Sequence, residues 1–165
     1  MVASEKKDVI IDKEIPIERQ IEFLRKGIMD RDLVTYKILK EKLGDKGEDL
    51  FHSIQLDLMQ QAVKDMGLKL CFEEIKRGGE IVDRILGYRI ERDYDKPEEF
   101  QISLLNCPYL ERAKEYGLEK EICKLIDDWQ AEQVSKTDCE MTVISKIAEG
   151  AEKCTIRFRK TKCNP

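Results

Sequence analysis

The apolar positions of this chain change period once, and the change divides it in two. From Pro16 onward they recur at three- and four-residue steps, the spacing that keeps side chains on one face of an α-helix. Ile17, Ile21, Leu24 and Ile28 form one such stripe behind Pro16, which suits a helix start. Glu18 in the first turn and Arg25 and Lys26 near the end complement the helix dipole. Leu33, Tyr36, Leu39 and Leu43 form a second stripe, and the spacing predicts a separate helix capped by Asp30 or Asp32. Gly44-Asp-Lys-Gly47 predicts a tight break. Beyond it Leu50, Phe51, Ile54, Leu58, Ala62 and Met66 mark a third, longest helix that Gly67 ends. Residues 70–77 are mixed in pattern, and Gly78-Gly79 is expected to separate them from a short helix over 80–86.

The period then becomes two. Leu86, Tyr88 and Ile90 alternate with Arg89 and Glu91, and Phe100, Ile102 and Leu104 repeat the alternation after a loop over 93–98, which predicts a hairpin. Pro108 fits the first turn of a following helix and puts Cys107 at its N-cap. After Gly117, Leu118, Ile122, Leu125, Ile126 and Trp129 form another buried stripe, with Cys123 and Asp127 one turn apart on its border. A second hairpin turning at Glu149-Gly150 pairs Val143 with Ile156, Met141 with Phe158, Glu140 with Arg159 and Thr142 with Arg157. That register puts Cys154 on the buried face opposite Ser145, and Cys139 on the same face near the far end. The fold class that follows is α+β, with helices packed on one face of a four-stranded antiparallel sheet. Residues 1–15 read as a mobile arm or a short added strand at Val9 to Ile11. Residues 16–165 read as one domain, mainly helical over 16–86, with the sheet and its inserted helices over 87–160.

Charge narrows the range of partners. Charged residues make up 39% of the 165 and the net charge is -4, so there is no broad basic field for nucleic acid. Arg157, Arg159, Lys160 and Lys162 read as a solvated strand face, and the helix after Gly47 is too apolar for a DNA-recognition helix. No apolar run approaches the roughly 20 residues that cross a bilayer, and the first residues lack a signal-peptide core, so a cytoplasmic protein is expected.

Six cysteines in a reducing compartment point to thiol or metal chemistry, or to packing, before disulfides. No C-x-x-C pair is present, so any shared site must be assembled by the fold. Cys107 is the foremost candidate, because a thiol at a helix N-terminus is drawn toward the reactive thiolate. Cys154 on an inner strand face is expected to join it. Cys123 and Asp127 offer sulfur and oxygen from one helical turn, a set that zinc or iron accepts, and Cys139 is a possible further ligand. Cys71 and Cys163 read as structural or incidental. His52 is the sole histidine, so any imidazole acid–base role falls to it, although its place beside a helical stripe also suits an ordinary surface residue.

Asn106-Cys107-Pro-Tyr-Leu, then Gly117, Cys123 and Asp127, then Ile147-Ala-Glu-Gly150-Ala-Glu-Lys-Cys154-Thr-Ile-Arg-Phe158 resemble the superfamily joining 4-vinyl reductase domains with L-2-amino-thiazoline-4-carboxylic acid hydrolase-like proteins. The resemblance covers roughly residues 87–159. It implies a fold similar to the trafficking-complex (TRAPP-like) subunits that bind an acyl chain, often as homodimers. It also implies a cytosolic binding, sensor or regulatory module for a small apolar molecule or a metal, with Cys107, Cys123 and Cys154 matching cysteines proposed to hold zinc, iron or an iron–sulfur cluster. The alternative implied is a hydrolase of a cyclic amidine such as L-2-amino-thiazoline-4-carboxylate, and a further one is a homodimeric protein-interaction subunit.

Overall fold

The computed structural model describes residues 15–161 apart from Met66 and Leu68, so Val9 to Ile11 and Cys163 lie outside the described residues. The first helix, α1 (Ile17–Leu43), runs unbroken through Asp30 and Asp32, which corrects the expected cap. Neither Gly nor Pro interrupts residues 28–43, and both aspartates are used across the fold: Asp30 pairs with Arg112, and Tyr109 Oη donates to Asp32 at 2.9 Å. The two predicted stripes are therefore two faces of one helix. Met29, Leu33 and Tyr36 are buried, while Ile17, Ile21, Leu24 and Ile28 are exposed.

Gly44, at φ +59°, ends α1, and α2 (Asp45–Asp65) starts at once. The expected break is thus one residue wide, and Gly47 lies inside α2. Its role is close approach: a Cβ there would run into the Leu39 carbonyl of α1. Glu48, the next residue, is buried and pins three helices, accepting from Tyr36 Oη at 2.9 Å and pairing with Lys40 at 2.9 Å and with Lys124. Lys124 and Lys40 hold its carboxyl down to about 2 against the cost of burial. Of the stripe expected on α2, Phe51 is buried, whereas Leu50 and Leu58 face solvent.

The third helix, α3 (Phe72–Leu86), passes straight through Gly78-Gly79, where a break was expected. Two glycines cost a helix about 1 kcal/mol each. Tertiary anchoring offsets that: Phe72 is fully buried, its N–H donates to the Asp138 carboxylate at 2.7 Å, and Gly87 at φ +96° closes the C-terminus.

Strands β1 (Ile90–Lys96), β2 (Glu99–Leu104), β3 (Cys139–Ser145) and β4 (Cys154–Lys160) form one antiparallel sheet in the order β1-β2-β4-β3. Residues 93–96 belong to β1 and not to a loop. A bulge at Asp93 absorbs the irregularity, its carboxylate accepting from Ser103 Oγ at 2.8 Å and Gln101 Nε2 at 2.8 Å, and the turn is only Pro97-Glu98. In the second hairpin all four predicted pairs are present. A bulge after Val143 then sets Ser145 against Thr155, so Cys154 sits one step away from the expected partner. Phe158 stacks on Phe100 at 4.7 Å between ring centres, with Phe72 at 5.6 Å from Phe100. Two helices connect β2 to β3, namely α4 (Pro108–Tyr116) and α5 (Ile122–Ser135). Helices α3 and α5 pack on the sheet, α1 packs on α4 and α2 on α5, which makes the α1–α2 hairpin an outer layer.

Candidate functional site

Where β2 ends, Asn106 fixes the corner: its side chain accepts from Arg89 N–H at 2.6 Å and donates to the Gly87 carbonyl at 3.1 Å. Pro108 then starts α4 in its first turn and Cys107 is its N-cap, as the sequence predicts, with Cys107 Sγ accepting from Leu110 N–H at 3.3 Å. On the neighbouring strand Cys154 Sγ accepts from Ile147 N–H at 3.2 Å, which holds the loop between β3 and β4 against the end of β4. Both sulfurs open onto a cavity of about 60 Å³. The C-terminal turn of α3 supplies Asp83 and Leu86 to its wall, and α5 supplies Ile122, Cys123, Ile126, Asp127 and Gln130. Tyr88, Leu104, Val143 and Ile156 complete it.

Cys107, Cys123, Cys154 and Asp127 therefore meet at one place. Cys139 does not: it is buried at the opposite end of β3, four residues from Val143, about 13 Å along an extended strand. His52 stands on α2 beside Phe51, away from the cavity wall. Cys71 is the N-cap of α3, without a side-chain capping bond.

The charge state of the thiols differs from the sequence expectation. Burial pushes Cys107 up to about 11, outweighing the Leu110 N–H, and burial with the nearby Asp127 carboxylate pushes Cys123 up to about 12. Burial raises Cys154 as well. One N–H at a helix start cannot offset desolvation in a wall this apolar, so at neutral pH these groups are thiols. Alkylation of Cys107 and Cys123 by iodoacetamide at pH 7.5 in the folded protein should be at least about 100-fold slower than that of an ordinary cysteine, with the full rate returning in urea. Rapid labelling of Cys107 in the native state would show a thiolate after all.

The carboxyls carry the opposite message. Burial lifts Asp127 to about 6 against the pull of Lys146, whose Nζ is 3.5 Å from Asp127 Oδ2. Burial, with Glu80 nearby, lifts Asp83 to about 6 also. Two acids poised near neutrality on one small cavity are the site's most chemical feature. Asp83 was missed in the sequence reading, but it had a signal: Ile75, Gly79, Asp83 and Leu86 are spaced as one helical face, so Asp83 is a charge set within an apolar stripe.

As a metal centre the donor set does not fit. Among the described residues no three His, Cys, Asp or Glu side chains stand in an arrangement that could hold a metal ion. No described helix is long and apolar enough to cross a membrane.

Comparison with known families adds one finding. The family described as L-2-amino-thiazoline-4-carboxylic acid hydrolase matches residues 23–158, so the match takes in the helical layers as well as the cysteine-bearing half. No curated protein and no solved structure matches the chain.

Proposed function

Since this chain belongs to the L-2-amino-thiazoline-4-carboxylic acid hydrolase family, within the superfamily that includes the 4-vinyl reductase domains, we propose that its cavity opens a small cyclic amidine by hydrolysis. The observation that carries the proposal is Asp127, a carboxyl raised to about 6 on the wall of an apolar cavity and steadied by Lys146. A base with that pKa is mostly ionised at pH 7 and still holds a proton long enough to deliver it, the property general acid–base catalysis needs.

In the proposed reaction Asp127 takes a proton from water, and the water oxygen bonds to the amidine carbon between the ring nitrogen and the ring sulfur. The tetrahedral centre collapses with cleavage of the carbon–sulfur bond. Asp127 returns its proton to the departing sulfur, which leaves a ureido group and a free thiol, so the elements of one water are consumed and nothing is oxidised. Asp83 pairs with the amidine N–H groups, and Lys146 offers its ammonium to a substrate carboxylate. The thiols of Cys107, Cys123 and Cys154 give a soft, polarizable wall against the ring sulfur.

At about 60 Å³ the cavity is several-fold below the roughly 300 Å³ at which ordinary ligand pockets begin, which leaves no room for an acyl chain. Incubating the protein with 2-amino-thiazoline-4-carboxylate in ¹⁸O-water should yield a ureido thiol carrying the label in its new carbonyl, read by mass spectrometry. Unchanged substrate would overturn the hydrolase reading, and stoichiometric zinc or iron in the same sample would instead support a metal-binding role for the three cysteines.

A further inference from the structure

Helix α3 is anchored to the core at one end only. Its first turns are pinned to the sheet: Phe72 is fully buried, Lys76 Nζ donates to the Lys96 carbonyl at 2.6 Å, and Arg92 donates to the Lys76 carbonyl at 2.7 Å. Past Gly78-Gly79 none of the described side chains over 80–86 reaches full burial, and Ile81 and Ile85 are each 58% exposed. Polar ties hold this half in place, namely Arg92 on Glu80 at 2.6 Å and the Arg25 guanidinium on the carbonyls of Ile85 and Arg84. The glycines between the two halves serve no packing need. An added Cβ at Gly78 would meet nothing within 4 Å, one at Gly79 would only touch the Ile75 side chain at 3.8 Å, and neither residue has a positive φ. Their effect is to weaken the helix at that point and nowhere else along α3.

We infer that residues 80–86 form a jaw that pivots at Gly78-Gly79, swinging out to admit substrate to the cavity and back to bring Asp83 against it. The jaw carries two residues of the cavity wall, Asp83 and Leu86. At about 60 Å³ the closed cavity has room for a few waters but not for a ring bearing amino and carboxylate groups, so one wall must yield before substrate enters. The facing wall is the less able to do so, because α5 contains no glycine and is rooted in the core by the buried Ile122 and Leu125. On the far side of Leu86, among the described residues, lies an open cleft of about 320 Å³ between the end of α3, α1 and α4, which is space for the helix end to move into. Re-forming the Arg92 and Arg25 ties would then latch the jaw shut, since both are exchangeable polar bonds rather than packed side chains. The hydrolase reading supplies only the identity of what enters; the hinge belongs to the fold.

Hydrogen–deuterium exchange of the full chain, read by mass spectrometry, tests the motion without substrate. In the wild type the amides of the last turn of α3 should exchange at least about tenfold faster than those in the middle of α5. The double variant Gly78→Ala/Gly79→Ala should slow exchange over 80–86 by about tenfold or more and leave α5 unchanged, and Arg25→Met should speed it. With 2-amino-thiazoline-4-carboxylate, kcat/KM of the double variant should fall by a similar factor while its urea midpoint rises, a pairing that a merely structural role for the glycines would not produce. Equal protection of α3 and α5 in the wild type overturns the jaw, whatever the turnover. Slower exchange with unchanged kcat/KM overturns its part in admitting substrate. A wild type that exchanges as expected but turns nothing over sinks the hydrolase reading and upholds the hinge.

Discussion

Replacing Asp127 with asparagine should lower ring-opening turnover by about 10²- to 10⁴-fold and, at pH 7, make the protein more stable. Both effects come from one burial. The activity effect follows from removing the group proposed to take the proton from water, for which the asparagine amide is no substitute. The stability effect follows from linkage. The Asp127 carboxyl has an ordinary value of 3.8 and is raised to about 6 in the fold, so between those values the folded chain binds its proton more tightly than the unfolded chain. The cost of holding it ionised is absent below about pH 4, grows across the window and is complete above about pH 6. A shift of this size, in which the pull of Lys146 is already included, corresponds to a gain of at most about 3 kcal/mol for Asp127→Asn at neutral pH. Thermal unfolding of both proteins should show the variant melting higher at pH 7 and the two curves converging near pH 4. Wild-type turnover should rise with pH through about 6 and level off. A variant with full turnover would remove Asp127 from the chemistry, whatever its melting temperature.

The same burial explains what the sequence could and could not convey. That Cys107, Cys123, Cys154 and Asp127 meet was legible, because Pro108 fixes a helix start beside one sulfur and residue pairs such as Glu140 with Arg159 and Thr142 with Arg157 fix the hairpin that brings in another. Their ionisation was not legible, because it depends on what surrounds each group in three dimensions. Helix position argued for a thiolate at Cys107, and desolvation reversed the sign. Helix boundaries failed for a related reason. Asp30 and Asp32 are of the residue type that caps helices, yet each is used by an arginine or a tyrosine from α4 some eighty residues away. Strand registers survive such substitutions of role because cross-strand pairs are local to the hairpin, whereas a cap and a tertiary acceptor look the same in sequence.

Glycine poses this ambiguity most sharply, and Gly47→Ala separates its two meanings. Inside an ordinary helix the change to alanine stabilises by about 0.5 to 1 kcal/mol, since alanine loses less backbone freedom on folding. Gly47 is inside α2, so propensity alone predicts a gain. Packing predicts the reverse: the new methyl would be driven into the carbonyl of Leu39 and against the Lys40 nitrogen, which are backbone atoms of α1 and cannot rotate away. The helices would have to part, and the first contacts to go would be those of the adjacent Glu48 with Tyr36 and Lys40. Losing that overlap-free crossing together with a buried, hydrogen-bonded carboxylate should destabilise by about 3 kcal/mol or more. Gly78→Ala is the matched comparison, because Gly78 lies within α3 and an added Cβ there meets nothing within 4 Å. Urea unfolding should therefore move the midpoint down for Gly47→Ala and slightly up for Gly78→Ala. Equal upward shifts would mean that α1 and α2 cross with more space than the structure gives them, and that Gly47 marks only the start of a helix.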